Sequence, residues 1–104
     1  MAKKYHVIVS RTATTELLDT IAFIAQTSPT IAKQIKADLI QQIQSLEQFP
    51  ERFQIVLVVR GYDVRHLVYK RGFRILYTVR DNNVYVLHCL RSEQDLDSIF
   101  AEHI

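Results

Sequence analysis

The chain holds 104 residues, of which 48% are hydrophobic, and its net charge is +2. That size and apolar content fit one compact domain over residues 1–104 and exclude intrinsic disorder. No apolar run approaches the ~20 residues of a membrane-spanning helix, and the opening Met-Ala-Lys-Lys-Tyr lacks the apolar core of a signal peptide. Cys89 is the sole cysteine, which rules out an internal disulfide and makes the cytoplasm the expected compartment.

The small net charge hides an uneven distribution. Between Arg60 and Arg80 stand six basic residues against Asp63 alone, whereas Ser92 to Ile104 carries four carboxylates and no Lys or Arg. A basic stretch beside an acidic tail suits an acidic or polyanionic partner. The same pattern also arises from a solvated sheet edge followed by a helix whose N-terminus favours carboxylates.

In chain order, Lys4 to Ser10 is short and rich in β-formers, and reads as a first strand. A helix is predicted from Thr12 to Gln26, with Leu17, Leu18, Ile21, Ala22, Ile24 and Ala25 as its apolar stripe. Ser28 followed by Pro29 is an N-cap with proline at the first helical position. The second helix is predicted to run to about Gln48, burying Ala32, Ile35, Leu39, Ile43 and Leu46. With so short a joint, the two helices form an antiparallel hairpin. Pro50 closes the helical region. Ile55 to Val59 is apolar without alternation, so it reads either as an edge strand or as a loop tucked under the sheet. Strands are predicted at about 63–69, 73–79 and 84–90, joined by tight connections at Lys70-Arg71-Gly72 and Asp81-Asn82-Asn83. Ser92 with Asp95 resembles a capping box and opens a short C-terminal helix bearing Leu96, Ile99 and Phe100. The order β-α-α-β-β-β implies an α+β domain, with the helical hairpin packed on one face of a small antiparallel sheet.

The other face of that sheet is the default functional surface. Phe73, Ile75, Tyr77 and Val79 share one side of their strand and make the better core, which leaves Arg74 and Arg80 on the opposite side. An arginine inside an apolar strand destabilises unless it meets solvent or a partner. The preferred register therefore places Arg65, Arg74 and Arg91 on or near the open face, although ion pairing with Asp63, Glu93 or Asp95 accounts for them as well. A one-residue slip would reverse every assignment.

Other chemistry is weakly signalled. His66 and His88 fall on β-type segments and could pair as acid and base, or be ordinary sheet histidines. The four histidines show no metal-ligand spacing, and neither a metal nor a cofactor is expected. Cys89 lies in an apolar strand and reads as an inert thiol. Tyr77 reads as core. Tyr62, Tyr69 and Tyr85 interleave with basic residues and either stack on bases or serve as β-formers.

The helical hairpin ending in Phe49-Pro50, then Val64-Arg65-His66-Leu67, Gly72 to Tyr77, Val84 to Leu87, and Arg91 with Asp95 together resemble the RelE/ParE superfamily of toxins from type II toxin–antitoxin systems. The resemblance covers nearly the full length. It implies a cognate antitoxin whose C-terminal segment wraps the toxin, and it leaves two activities open. RelE-like members are ribosome-dependent endonucleases of messenger RNA. ParE-like members act on DNA gyrase, a protein target, and carry no recognised nuclease site.

Arg74 matches the RelE-type arginine, but Gln94 and Phe100 stand where that branch has arginine and tyrosine. Neither replacement can neutralise a phosphate or move a proton. Arg65, Phe73, Tyr77 and Asp95 match the ParE pattern, with Arg91 where histidine is common. The expectation is thus a ParE-like, plasmid-stabilisation-type toxin whose binding residues are Arg65, Arg74, Arg80, Arg91 and Asp95. The alternative is an mRNA endonuclease using Arg74, Arg91, His66, His88 and Tyr77 on the ribosome. A relic that binds only its antitoxin is a further reading.

Overall fold

The computed structural model describes residues 4–69 and 72–91. The predicted C-terminal helix, with Gln94, Asp95 and Phe100, lies outside the described residues, as do Lys70 and Arg71.

Strand β1 (His6–Val9) leads directly into helix α1 (Arg11–Thr27). Ser10 makes that junction: its Oγ accepts the N–H of Ala13 at 3.0 Å and donates to the carbonyl of Leu87 at 3.1 Å, so one hydroxyl caps the helix and ties it to the sheet. Ser28 closes α1 through its N–H to the Ile24 carbonyl and opens α2 (Pro29–Gln44) by accepting from Ile31. Proline at the first position of α2 removes a donor that would have no intrahelical acceptor. Two short 3-10 turns, Ser45–Glu47 and Pro50–Arg52, then connect to β2 (Ile55–Val59), β3 (Tyr62–Tyr69), β4 (Phe73–Arg80) and β5 (Asn83–Arg91).

The sheet order is β1-β5-β4-β3-β2. Strands β2 to β5 form the predicted antiparallel meander. The sheet as a whole is mixed, because β1 pairs parallel with β5. The helical hairpin supplies the crossover that a parallel pairing requires. Ile55–Val59 is an edge strand, which settles the alternative of a tucked loop. The β2–β3 turn places Arg60 and Gly61 at φ 51° and 84°, a left-handed pair suited to a two-residue hairpin of right-twisted strands. Asp81 at φ 57° serves the β4–β5 turn.

The predicted stripe is buried throughout, with Ala32, Ile35, Leu39 and Ile43 on α2 and Leu46 in the 3-10 turn that replaces the expected last turn of the helix. The α1 stripe is narrower. Ala13 and Leu17 are buried and Ile21 and Ile24 half-buried, while Leu18 and Phe23 face outward. Tyr77 is fully buried beneath the hairpin with Ile75, Leu67, Val84 and Val86. The opposite sheet face is less bare than expected. Val64, Leu76 and Leu90 form a second buried cluster there, flanked by Val56, Leu57, Val59 and Leu87.

Candidate functional site

The register assigns each arginine to a face. Arg65 pairs with Tyr77, and Arg91 pairs with Phe73, so both share the side that carries the helices. The expectation that they lie on the open face is corrected by this pairing. Arg74 pairs with Val68 and Leu90, and Arg80 with Asn83, which puts both on the face away from the helices as predicted.

Arg65 is occupied by the connection before β2. Its Nη1 donates to the carbonyls of Glu51 at 2.9 Å and Phe53 at 2.6 Å. Arg52 serves the same segment, donating to the carbonyls of Gln48 and Phe49 and to Ser45 Oγ, with its guanidinium 4.5 Å from the Phe53 ring centre. The Tyr77 hydroxyl donates to the Pro50 carbonyl. A stretch without a ladder leaves carbonyls to be satisfied by side chains, and these three donors supply that need. Phe49 at φ 48° shows how tightly the segment turns.

His66 and His88 do not meet. Both are paired with Leu76, one from each side, so β4 separates them by about 10 Å, two inter-strand spacings. His66 shares the open face with Arg74. Burial and the Arg74 charge hold its pKa below the usual 6.5, and its buried Nδ1 has no hydrogen-bond partner among the described residues. His88 is turned to α1, where its Nδ1 lies 3.1 Å from both carboxylate oxygens of Glu16. Glu16 also accepts the N–H of Cys89 at 3.0 Å.

This cluster coincides with a β-bulge: Leu76 opposes His88 while the next residue, Tyr77, opposes Val86. Beside it a cleft of about 390 Å³ is lined by Glu16, Asp19, Phe23, Phe73, Cys89 and Arg91. Burial and the neighbouring Glu16 carboxylate push the Cys89 thiol up to about 12. Burial likewise raises Tyr77 to about 12. Neither group is poised to give or take a proton near neutrality.

The five residues of the nuclease reading are therefore not convergent. Arg74 and His66 lie on one face, Arg91 and Tyr77 on the other, and His88 is engaged by Glu16. Among the described residues no group of His, Cys, Asp and Glu could hold a metal ion, and no helix is long and apolar enough to cross a membrane.

One surface feature escaped the sequence reading. A groove of about 730 Å³ runs between β1 and the hairpin, lined by Tyr5, Val7, Val9, Leu17, Ile40 and Ile43 among others. Outside it, Leu18, Phe23 and Ile31 extend the apolar surface of the helices. Glu16 was also missed. Its spacing three residues after the buried Ala13 and one before Leu17, on the margin of the α1 stripe, was the available signal.

A helical hairpin on a five-stranded sheet, with arginines on both faces of that sheet, defines a small α+β domain. Residues 7–96 match the family model described as ParE toxin of type II toxin-antitoxin system, parDE. The chain belongs to that family and is a toxin component of the type II class. The fold is also similar to a solved structure titled chromosomal ParDE TA system from P. aeruginosa, with a TM-score of 0.76 at 21% identity, covering 88% of this chain and 100% of that one. A search of the curated proteins finds no match.

Proposed function

We propose that the chain arrests growth by binding a host protein, with DNA gyrase as the target, and that a cognate antitoxin silences it. The observation that carries this reading is the scattering of Arg74, Arg91, His66, His88 and Tyr77 over two faces, with Tyr77 and Cys89 both far from titrating at neutral pH. Cleaving RNA needs a base, an acid and a cation around one phosphate. A binding toxin needs only a shaped and charged surface. Arg74 and Arg80 on the face away from the helical hairpin provide such a surface for an acidic target.

The antitoxin reading rests on the apolar area around the hairpin. The groove beside β1 offers an amphipathic segment an apolar seat, and Leu18, Phe23 and Ile31 add exposed apolar surface on the helices. The ParDE system of similar fold supports such pairing.

The test follows thymidine and methionine incorporation side by side after induced expression in a bacterial host. Thymidine incorporation falling first is the expected result, with inhibition of gyrase supercoiling by the purified chain. Methionine incorporation falling first, with cleaved transcripts, would move the target to the ribosome and its mRNA.

A further inference from the structure

The sheet face away from the helical hairpin carries a pocket that neither arginine positioning nor the hairpin groove explains. It encloses about 430 Å³ at the end of the sheet where β2 turns into β3. Val64 and Leu87 contribute its apolar surface, Tyr62 and Tyr85 its aromatic surface, and Arg60 and Arg80 its charge. The Arg80 guanidinium sits 4.9 Å from the centre of the Tyr62 ring, which holds the cation at the pocket in a defined place. Along β2 to β5, the described residues sharing this face include no Asp or Glu, whereas Arg74 adds a further cation along the same side.

The pocket adjoins a sheet edge that no other described strand pairs with. β2 is the outermost strand, reads Ile-Val-Leu-Val-Val, and carries neither a charge nor a proline. Ile55 and Val58 are 41% and 59% exposed. Edges of this kind ordinarily carry lysine, proline or a covering element, because their unpaired N–H and C=O groups recruit another strand. Val59, the last residue of β2, itself lines the pocket.

We propose that this pocket anchors an extended acidic segment of the host protein target, paired to β2 and placing one aromatic or branched side chain between Tyr62 and Tyr85. The inference rests on the protein-target reading above and assigns it a recognition site. Backbone pairing along β2 gives the segment its direction, the pocket selects the anchor, and Arg60 and Arg80 select flanking carboxylates. A polypeptide is favoured over single-stranded nucleic acid because an outermost strand offers main-chain pairing.

The chain has no tryptophan, so a Trp-bearing probe is seen alone by fluorescence. The probe is an acetylated Asp-Glu-Trp-Leu-Asp-Glu peptide. The expected result is a saturable blue shift that weakens about tenfold in the Arg60→Glu/Arg80→Glu variant and when the flanking acids become Asn and Gln. Tyr62→Ala, at an exposed position, weakens it without charge reversal. An unchanged affinity in both variants overturns the proposal, as does displacement of the peptide by equimolar oligothymidylate.

In the same variants gyrase inhibition falls about tenfold while antitoxin binding is retained. Loss of antitoxin binding would instead give the pocket to the antitoxin and overturn the assignment. If the wild-type chain takes the peptide as described yet leaves supercoiling untouched, the gyrase reading fails and the anchor site stands.

Discussion

Glu16 and His88, 72 positions apart, are joined with both carboxylate oxygens 3.1 Å from the imidazole Nδ1. A carboxylate only accepts, so Nδ1 carries the hydrogen. The same carboxylate takes the N–H of Cys89 where the β4–β5 register slips. One helix side chain therefore satisfies two donors at the least regular point of the sheet. Replacing it strands both, and a buried donor left unsatisfied costs about 1–3 kcal/mol. Glu16→Ala is expected to lower unfolding free energy by about 3 kcal/mol, and Glu16→Gln, which retains one acceptor, by about half that. Urea denaturation measures both. Equal losses in the two variants would show that charge, and not hydrogen bonding, is what matters there.

Arg65 gives a second expectation that separates architecture from target contact. Its two bonds hold the segment from Glu51 to Phe53 against the sheet, and each is a charge-assisted bond to a carbonyl. Arg65→Ala should destabilise by about 1–2 kcal/mol and open residues 48–54 to limited proteolysis. Toxicity then falls because the fold loosens. A variant that keeps its melting temperature and its protease resistance but loses toxicity would instead make Arg65 a contact residue.

The case of Arg65 also shows where sequence reading stops. Helix spacing, the Ser28-Pro29 cap and the three meander strands were legible because each is a local pattern with a short period. Ala32 through Leu46 and the Phe73/Ile75/Tyr77 side were correct for that reason. The parallel docking of β1 was not legible, since nothing in His6–Val9 records which strand it meets more than seventy residues later. Arg65 and Arg91 lie on the face opposite to the expected one because alternation fixes relative sides within a strand and leaves the register between strands free. The bulge at Leu87 adds a further shift along β5 that no local composition marks. An arginine aimed at backbone carbonyls of an irregular segment looks, in sequence, the same as one aimed at a ligand.

Cys89 should behave as an inert thiol. Burial and the Glu16 carboxylate both disfavour the thiolate, raising the group to about 12 from its ordinary value of 9.0. The thiolate is the reactive form, so labelling by a disulfide reagent at pH 8 should be at least about a hundredfold slower in the native chain than in urea. Glu16→Gln removes one of the two causes and should speed native labelling. A rapid native reaction would mean that the cleft beside Arg91 opens far more often than its packing implies.

Stability should fall at both ends of the pH scale, for different residues. His66 is held neutral, with a folded pKa below 6.5, by burial and by Arg74. Below pH 6.5 the unfolded chain binds a proton that the folded chain refuses, so stability drops as pH falls through that window and levels off below the folded value. Tyr77 and Cys89 act oppositely. Their folded values near 12 exceed the reference values of 10.0 and 9.0, so above pH 9 the unfolded chain releases protons that the folded chain keeps. Stability must then fall as pH rises. Thermal melts across pH 5 to 11 should trace a plateau with two descending limbs. His66→Asn should flatten the acid limb and leave the alkaline one, whereas Tyr77→Phe should reduce the alkaline limb and lower the plateau by about 1 kcal/mol through loss of the bond to Pro50. An acid limb that persists unchanged in His66→Asn would show that His66 does not set it.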